Sequence, residues 1–325
     1  MNMRISGAAL CIGILVTACG ATQTQAGSGD KLYAAVSAGH SQFVQVIDSR
    51  SHKVERRLPM GVPSSDWKHL YSILSTSLVD TDPQTGATLS TLALGHAYRL
   101  PDATFTGVPG GLSPNGKWLV VERYDVTGED LPSASHLLLI ETPGLKVKSR
   151  IDLAGFFNFD AVSNDGRRLY LIQFVSGKAY YVRWYDLAMG RLDPGVVFDK
   201  NDGANAMSGL RLSGVASANG GWLYSMYVRD HAGPFIHALS LDGSTLVVAG
   251  GSGLVWIDAQ ALAVRHRALT DWRIWSVGLS PDGRNLYAMS EGGKVAQISM
   301  GSATVGATFD LSGGQPVALM RVAAS

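Results

Sequence analysis

A short phrase that recurs along the chain constrains the fold more than any other feature. The segments 112–121, 162–171 and 279–288 contain Ser-Pro-Asn-Gly, Ser-Asn-Asp-Gly and Ser-Pro-Asp-Gly, and each continues, after two further residues, with Leu. Asn-Gly and Asp-Gly tolerate positive φ and close hairpins. Proline has no N–H to donate to a ladder, so it ends the preceding strand. Each phrase therefore predicts a strand, a tight turn and a second strand.

Weaker copies of the phrase occur at 62–71, 215–224 and 242–248, the first of them without the glycine. A second phrase, an apolar strand that ends in Asp, follows the first, as in Val182–Asp186 and Leu254–Asp258. A polar turn and a further strand come next, so each unit supplies four short antiparallel strands. The chain shows no sustained helical period with capping residues, and we predict essentially no helix.

Repetition of four-stranded units predicts an all-β fold of the β-propeller type. The phrases resemble those of YVTN-type extracytoplasmic propellers over residues 31–325. This resemblance implies the fold and says little about function, because such repeats carry many activities. The leucines that follow the turns predict seven blades: Leu32, Leu70, Leu119, Leu169, Leu223, Leu246 and Leu286. The short spacing between Leu223 and Leu246 leaves six blades with an irregular insert at 235–250 as the alternative.

The two ends of the repeat region predict how the propeller closes. Pro316–Val322 has the pattern of an isolated inner strand, and Lys31–Val36 has that of a second strand. We therefore expect the C-terminal strand to complete the first blade, which would remove an open sheet edge that invites aggregation.

The N-terminus predicts export. Residues 1–18 contain one cation, Arg4, and an apolar stretch too short to span a bilayer, as in a secretory signal peptide. Val16–Cys19 resembles the lipobox of bacterial lipoproteins. The resemblance implies cleavage before Cys19, acyl chains on Cys19, and anchoring to the cell membrane or outer membrane on the extracytoplasmic side. An ordinary signal peptide or an uncleaved anchor is the alternative. Residues 19–30 contain no large apolar side chain and predict a flexible tether.

Composition excludes several function classes. The 27 Lys and Arg against 26 Asp and Glu give a charge of +1, which excludes a basic nucleic-acid surface. Both cysteines precede residue 20, so the folded body has no disulfide framework and no cysteine-based zinc site. The histidines have no metal-ligand spacing, and Asp80–Asp82 fits a turn better than a calcium loop. A strand follows Gly250–Gly253, which therefore predicts a hairpin and not a nucleotide loop. We predict no catalytic residue, no cofactor and no metal.

The longer connections between strands predict a binding face, because functional residues often lie on loops carried by a rigid scaffold. They include 97–102, 156–160, 200–208 and 271–273, where aromatic side chains adjoin Arg and Asp, the mixture found at recognition sites. The alternative is a set of solvated loops without a function. The predicted face consists of Arg99, Asp102, Phe157, Asp160, Asp202, Asp230, His231, Asp271, Trp272 and Arg273.

Trp272 is the sharpest candidate in this set. Trp67, Trp118 and Trp222 lie inside the repeated phrase, which indicates packing between blades, whereas Trp272 lies in a connector. The alternative for Trp272 is that it packs beneath Trp275. The sequence thus predicts a non-catalytic binding or scaffold propeller at the cell envelope, with a protein or small-molecule partner. A lactonase-like propeller hydrolase is the alternative, by fold analogy alone.

Overall fold

The computed structural model describes residues 29–103, 107–126, 128, 131–176, 179–199, 210–216, 223–229, 233–235, 245–250, 253–258, 261 and 263–324. These residues form strands, turns and bends and no helix, which confirms the predicted lack of helix for this part of the chain. No helix in the described ranges is long and apolar enough to cross a membrane. The predicted signal peptide and Cys19 lie outside the described residues.

Twenty-six strands occur in the described residues. They are β1 (Asp30–Ala38), β2 (Ser41–Asp48), β3 (Val54–Pro59), β4 (Val62–Pro63), β5 (Leu70–Leu74), β6 (Ser77–Thr81), β7 (Thr88–Ala93), β8 (Trp118–Asp125), β9 (Ala134–Glu141), β10 (Lys146–Ala154), β11 (Phe156–Val162), β12 (Arg168–Phe174), β13 (Tyr180–Asp186), β14 (Arg191–Leu192), β15 (Phe198–Asp199), β16 (Leu210–Ala216), β17 (Leu223–Arg229), β18 (Gly233–Phe235), β19 (Thr245–Gly250), β20 (Gly253–Asp258), β21 (Ala263–Ala268), β22 (Ile274–Leu279), β23 (Asn285–Ser290), β24 (Lys294–Ser299), β25 (Val305–Asp310) and β26 (Gln315–Ala324).

These strands form seven sheets, which agrees with seven blades. The chain divides into two compact units, one made of residues up to Pro59 and from Ala238 onward, the other of Met60–His237. The first unit contains the sheets β26-β1-β2-β3, β19-β20-β21 and β22-β23-β24-β25. The second contains β4-β5-β6-β7, β10-β9-β8, β11-β12-β13-β14 with β15 also on β13, and β16-β17-β18. Neighbouring strands within the sheets pair antiparallel.

The C-terminal strand completes the first sheet, as predicted. β26 pairs antiparallel with β1, from Asp30 opposite Ala324 to Ser37 opposite Gln315. Asp30 was predicted to belong to the tether, but the structure places it in β1. The sheet therefore begins one residue earlier than the sequence indicated. The Tyr287 hydroxyl donates to the Asp30 carboxylate at 2.6 Å.

In the sheet β10-β9-β8, the segment before β8 occupies the place of a first strand. It contacts β8 through two isolated bridges, Arg99 with Glu122 and Leu112 with Leu119. Apolar side chains of β8 and β9 pack on one face against β5 and β6, and on the other against β11 and β12. Burial of such surface contributes about 25 cal/mol per Å². This packing holds three of the four sheets of the second unit together.

The repeated phrase folds into one type of turn, which we name the Ser–Asp turn. In the copy at 280–285, the Ser280 hydroxyl donates to Asp282 at 2.6 Å and accepts from the Asn285 amide at 2.9 Å. The Asp282 carboxylate also accepts from the Arg284 amide at 3.0 Å. The same three bonds occur in the turns at 64–69, 113–118 and 163–168.

Candidate functional site

A cavity of about 340 Å³ lies in the second unit, where the first strands of three consecutive sheets end. One wall consists of β4 and of Ser65 in the turn that follows β4. The segment before β8 forms the second wall, and the end of β11 forms the third. The lining residues are Val62, Pro63, Ser65, Asp102, Ala103, Pro109, Gly110, Gly111, Leu112, Ser113, Pro114, Phe159, Asp160, Ala161 and Val162. Its volume lies within the range of small-molecule sites.

Asp160 enters the cavity wall from an irregular point of β11. Phe159 pairs with Leu171 and Ala161 with Tyr170, so Asp160 is the extra residue of a β-bulge. A bulge re-aims a side chain and is frequent near functional sites, although β16 and β22 carry similar irregularities. Asp160 is 8% exposed. The bulge therefore places a largely buried carboxylate in the wall.

Glu122 of β8 joins two walls of the cavity from beneath. Its carboxylate is 1% exposed, accepts from the Arg99 guanidinium at 2.9 Å, and accepts from the Phe159 amide at 3.2 Å. Burial raises the pKa of Glu122, and the charge of Arg99 opposes that rise. A buried charge requires such partners because its removal from water is costly. Glu122 thus fixes the position of Phe159 relative to the segment that carries Arg99.

Arg99 extends this network to the rim of the cavity. Its guanidinium lies 3.6 Å from the carboxylate of Asp102 and 5.1 Å from the centre of the Tyr124 ring. The Tyr124 hydroxyl donates to the side chain of Asn158 at 2.7 Å, and burial raises the pKa of Tyr124. Arg99 is held by two carboxylates and a ring, and it supports the wall of the cavity that contains Asp102.

The structure brings together three residues of the predicted binding face. Arg99 contacts Asp102, and Asp102 and Asp160 line the same cavity. Phe157 does not join them at the surface, because its side chain is 2% exposed and packs in the core between β8 and β12. The prediction treated 156–160 as a connector. This segment is β11, in which residues alternate between two faces, and Phe157 lies on a packed face.

The other predicted residues do not belong to this cavity. Arg273 forms an ion pair with Glu291 at 2.8 Å, and Asp271 is exposed, both in the first unit. Trp272 is half-buried and packs against the apolar cluster of β19, β20 and β22 to β24, a cluster that does not include Trp275. Asp202, Asp230 and His231 lie outside the described residues.

Sequence reasoning missed Glu122, Tyr124 and Phe159. A signal was present for Glu122, since it follows four apolar residues in Trp118–Val121 and continues a strand with a buried face. A buried carboxylate at this position needs a cationic partner. Arg99, which precedes Glu122 by 23 residues in the sequence, is that partner. Within the described ranges, no group of three or more His, Cys, Asp or Glu is placed to hold a metal ion.

Comparison with known proteins identifies the fold class. No protein-family model matches this chain. None of the curated proteins matches it either. The β-propeller domain of Cps50 (Swd1) from Myceliophteria thermophila is similar in structure, with a TM-score of 0.52 and 11% identity over 89% of this chain and 92% of that one. At this identity the likeness shows the fold alone, and the protein is an all-β protein with a β-propeller fold.

Two further solved structures are similar at lower scores. Hydrazine synthase of Kuenenia stuttgartiensis has a TM-score of 0.38 and 16% identity over 93% of this chain and 92% of that one. Dihydro-heme d1 dehydrogenase NirN has a TM-score of 0.46 and 16% identity over 88% of this chain and 74% of that one. Neither score supports an argument about function.

Proposed function

We propose that the protein is a lipid-anchored extracytoplasmic propeller that binds a small molecule in the cavity of its second unit. The observation that carries the binding function is the cavity itself, with two carboxylates in its walls and the buried Glu122 beneath them. A propeller without a ligand has no need to bury a carboxylate between two walls of a cavity, because apolar residues of similar volume are often at least as stable.

Support for the location comes from the sequence. Val16–Cys19 resembles a lipobox after a short apolar stretch, and residues 20–28 contain no large apolar side chain. Two or more acyl chains hold a protein stably on a membrane. Export and anchoring therefore place the cavity in the periplasm or outside the cell, where solutes reach it directly.

The location is tested by the variant Cys19→Ala. Without the thiol no lipid is attached, so the protein should move to the soluble fraction or accumulate as an uncleaved precursor. Cell fractionation and intact mass measure both. Membrane retention with normal processing of Cys19→Ala would contradict the lipid anchor.

The binding function is tested by filling the cavity. Ala161→Trp adds an indole to the lining, and Leu89→Trp is the matched control because Leu89 is half exposed on β7 of the same unit. Native mass spectrometry of the purified proteins should show a small molecule on the wild type and on Leu89→Trp, but not on Ala161→Trp. Equal retention by all three proteins would contradict binding in this cavity.

The same experiment separates binding from hydrolysis. A binding protein returns its ligand unchanged, whereas a lactonase-like enzyme would return hydrolysed products. Recovery of an intact ligand after prolonged incubation is the result that we expect.

A further inference from the structure

We infer that two copies of this chain associate through β7, the last strand of the sheet β4-β5-β6-β7, with the two β7 strands antiparallel. The dimer goes beyond the proposed binding function, because the cavity is lined from β4, at the opposite edge of this sheet. Three features support it: the lack of edge protection on β7, the direction of its outward backbone groups, and the match of β7 to its own copy.

An open sheet edge pairs readily with another chain, so proteins protect such edges with charges, proline, bulges or short strands. We name as outer strands those at the edge opposite the first strand of each sheet, namely β3, β7, β10, β14 with β15, β18, β21 and β25. β14 and β15 contain two residues each, and β18 contains three, one of which is Pro234. Short length and proline therefore protect the outer edges of two sheets.

Four of the longer outer strands share a bulge in which one residue has no counterpart on the neighbouring strand. These residues are Glu55, Leu89, Lys148 and Arg265. In β3, β10 and β21 the bulge residue is charged, and a charged side chain resists transfer out of water. In β7 it is Leu89, which is 50% exposed. The bulge of β7 thus presents apolar surface where the others present charge.

The sequence around β7 also lacks charge. Residues 83–95 include no Asp, Glu, Lys or Arg, whereas β3, β10 and β21 each contain at least two charged residues. β25 is the other outer strand with few charges, and it ends in Asp310. Its irregularity is larger, because both Gly306 and Ala307 lie opposite Gln297, and glycine weakens a strand. Of the described outer strands, β7 is therefore the least protected.

The backbone of β7 directs hydrogen-bonding groups away from its own sheet. The Leu94 amide donates to the carbonyl of Thr76, the residue before β6, at 2.8 Å. Bonded residues alternate along an antiparallel ladder, so the N–H and C=O groups of Thr91 and Ala93 point to the open side. Both residues are exposed. A strand placed along this edge would receive and return these hydrogen bonds.

A second copy of β7 fits this edge. A two-fold axis at Thr91 sets Thr91 opposite its own copy and places Leu89 beside Ala93 of the other copy, a large side chain against a small one. Threonine pairs stabilise antiparallel strands, and no like charges meet. In β21, by contrast, pairing centred on His266 would set Arg265 against Arg267. A symmetric dimer requires a surface that is its own complement, and β7 meets this requirement.

The dimer is tested with Thr91→Lys, which places a cation at the centre of the proposed pairing. In a dimer the two lysines would oppose each other, and like charges in that position repel. Sedimentation velocity over a range of protein concentrations should show a monomer–dimer equilibrium for the wild type. Thr91→Lys should raise the dimer dissociation constant about tenfold or more.

Thr308→Lys is the matched control, because Thr308 is an exposed threonine of the outer strand β25 in the first unit. The same charge is added to an outer strand outside the proposed contact, so the dimer should persist as in the wild type. The melting temperature of each variant, measured by circular dichroism, shows whether it folds.

A cysteine at position 91 tests the contact directly. Opposite residues of antiparallel strands have Cα atoms about 4.5–5.5 Å apart, within the span of a disulfide. Thr91→Cys should therefore form a covalent dimer under mild oxidation, seen by non-reducing electrophoresis, whereas Thr308→Cys should not. The wild type reports any dimer made by Cys11 or Cys19. The cysteine variant decides the question if Thr91→Lys does not fold.

Three results would overturn the inference. They are a wild type that remains monomeric at every concentration, equal dissociation constants for Thr91→Lys and Thr308→Lys, and a cross-link yield at position 91 no higher than at position 308. None of them bears on ligand retention in the cavity, which Ala161→Trp tests separately.

Discussion

The Ser–Asp turns at 64–69 and 280–285 make the same hydrogen bonds with different residues at the fourth position. Gly283 has a φ of 71°, and Trp67 takes the corresponding place with a φ of 56°. A left-handed conformation costs an L-residue about 1–2 kcal/mol, and glycine avoids that cost. Since the turn forms in both cases, the bonds of serine and aspartate fix its shape. The glycine only lowers its cost.

The tryptophan offsets that cost by burial. The Trp67 side chain is 9% exposed, and full burial of a large apolar side chain contributes about 1.5–3 kcal/mol. The turn can therefore form without its glycine where the side chain that replaces the glycine is buried in the core.

A third turn shows that glycine can also serve close packing. Gly166 has a φ of 66°, and a Cβ added there would lie 2.5 Å from the ring of Trp118. The Trp118 indole donates to the carbonyl of Asn164 at 3.2 Å, and the Asn115 amide donates to the Asn164 side chain at 2.9 Å. Trp118 thus packs between two sheets, which confirms its predicted structural role.

The largest difference between matched variants is expected for Gly166→Ala and its control. The substitution adds the cost of positive φ, about 1–2 kcal/mol, to overpacking against Trp118, about 1–3 kcal/mol, so the free energy of unfolding should fall by about 3 kcal/mol. Gly283→Ala is the matched control, because a Cβ at Gly283 meets nothing within 4 Å. It should cost only about 1 kcal/mol, from φ alone. Equal losses in urea unfolding would show that the Trp118 contact does not matter.

A smaller difference, with an unusual sign, is expected between two variants of Trp67. Trp67→Ala loses the buried indole and keeps the positive φ, whereas Trp67→Gly loses the indole and removes the strain. Truncation of a buried tryptophan to alanine costs about 3–5 kcal/mol, so the glycine variant should lose about 2–4 kcal/mol net. Trp67→Gly should therefore be about 1 kcal/mol more stable than Trp67→Ala, the reverse of the usual order in strands. A less stable glycine variant would contradict the strain assigned to Trp67.

The smallest effect is expected from acid. The hydrogen bond from Ser280 lowers the pKa of Asp282 from its ordinary 3.8, and the pKa of Asp165 is lowered in the same way by Ser163. A lowered folded pKa gives stability that is complete above the unfolded value and is lost as pH falls through the folded value. Asn115, at the same place in its turn, does not titrate.

This difference can be measured with Asp282→Asn, which makes one aspartate turn resemble the asparagine turn. The variant should lose less stability than the wild type when the pH is lowered from well above 3.8 to well below it. Urea unfolding at the two pH values gives the comparison. An unchanged pH dependence would show that Asp282 contributes nothing to acid sensitivity.

Local hydrogen bonding explains why the turns could be predicted from the sequence. Ser280, Asp282 and Asn285 are neighbours in the chain, so their spacing alone determines which donors meet which acceptors. The closing strand was also predictable, because an apolar strand without a following partner needs one elsewhere. Both predictions depend on the order of residue types in the sequence and not on the detailed positions of residues that are distant in the chain.

The site was less predictable, because its key contacts join distant residues. Glu122 contacts Arg99 and Phe159 only after the three segments that carry them have folded. The spacing of these residues in the sequence does not predict the contacts. The segment 156–160 resembles a loop in composition, yet it is β11, with a bulge that separates Asp160 from the buried Phe157. Arg99, Asp102 and Asp160 were found because the sequence places Arg and Asp beside aromatic residues in the longer segments between the repeated phrases.

The pairing of β26 with β1 determines when the protein can finish folding. The ribosome makes β1 long before β26, so the sheet that contains β1 lacks a strand until β26 has been made. Ordering contacts between such distant residues is slow, since a long loop has to close. A nascent or truncated chain that lacks β26 therefore has an unfinished first sheet with an open edge at β1, where it can pair with another chain.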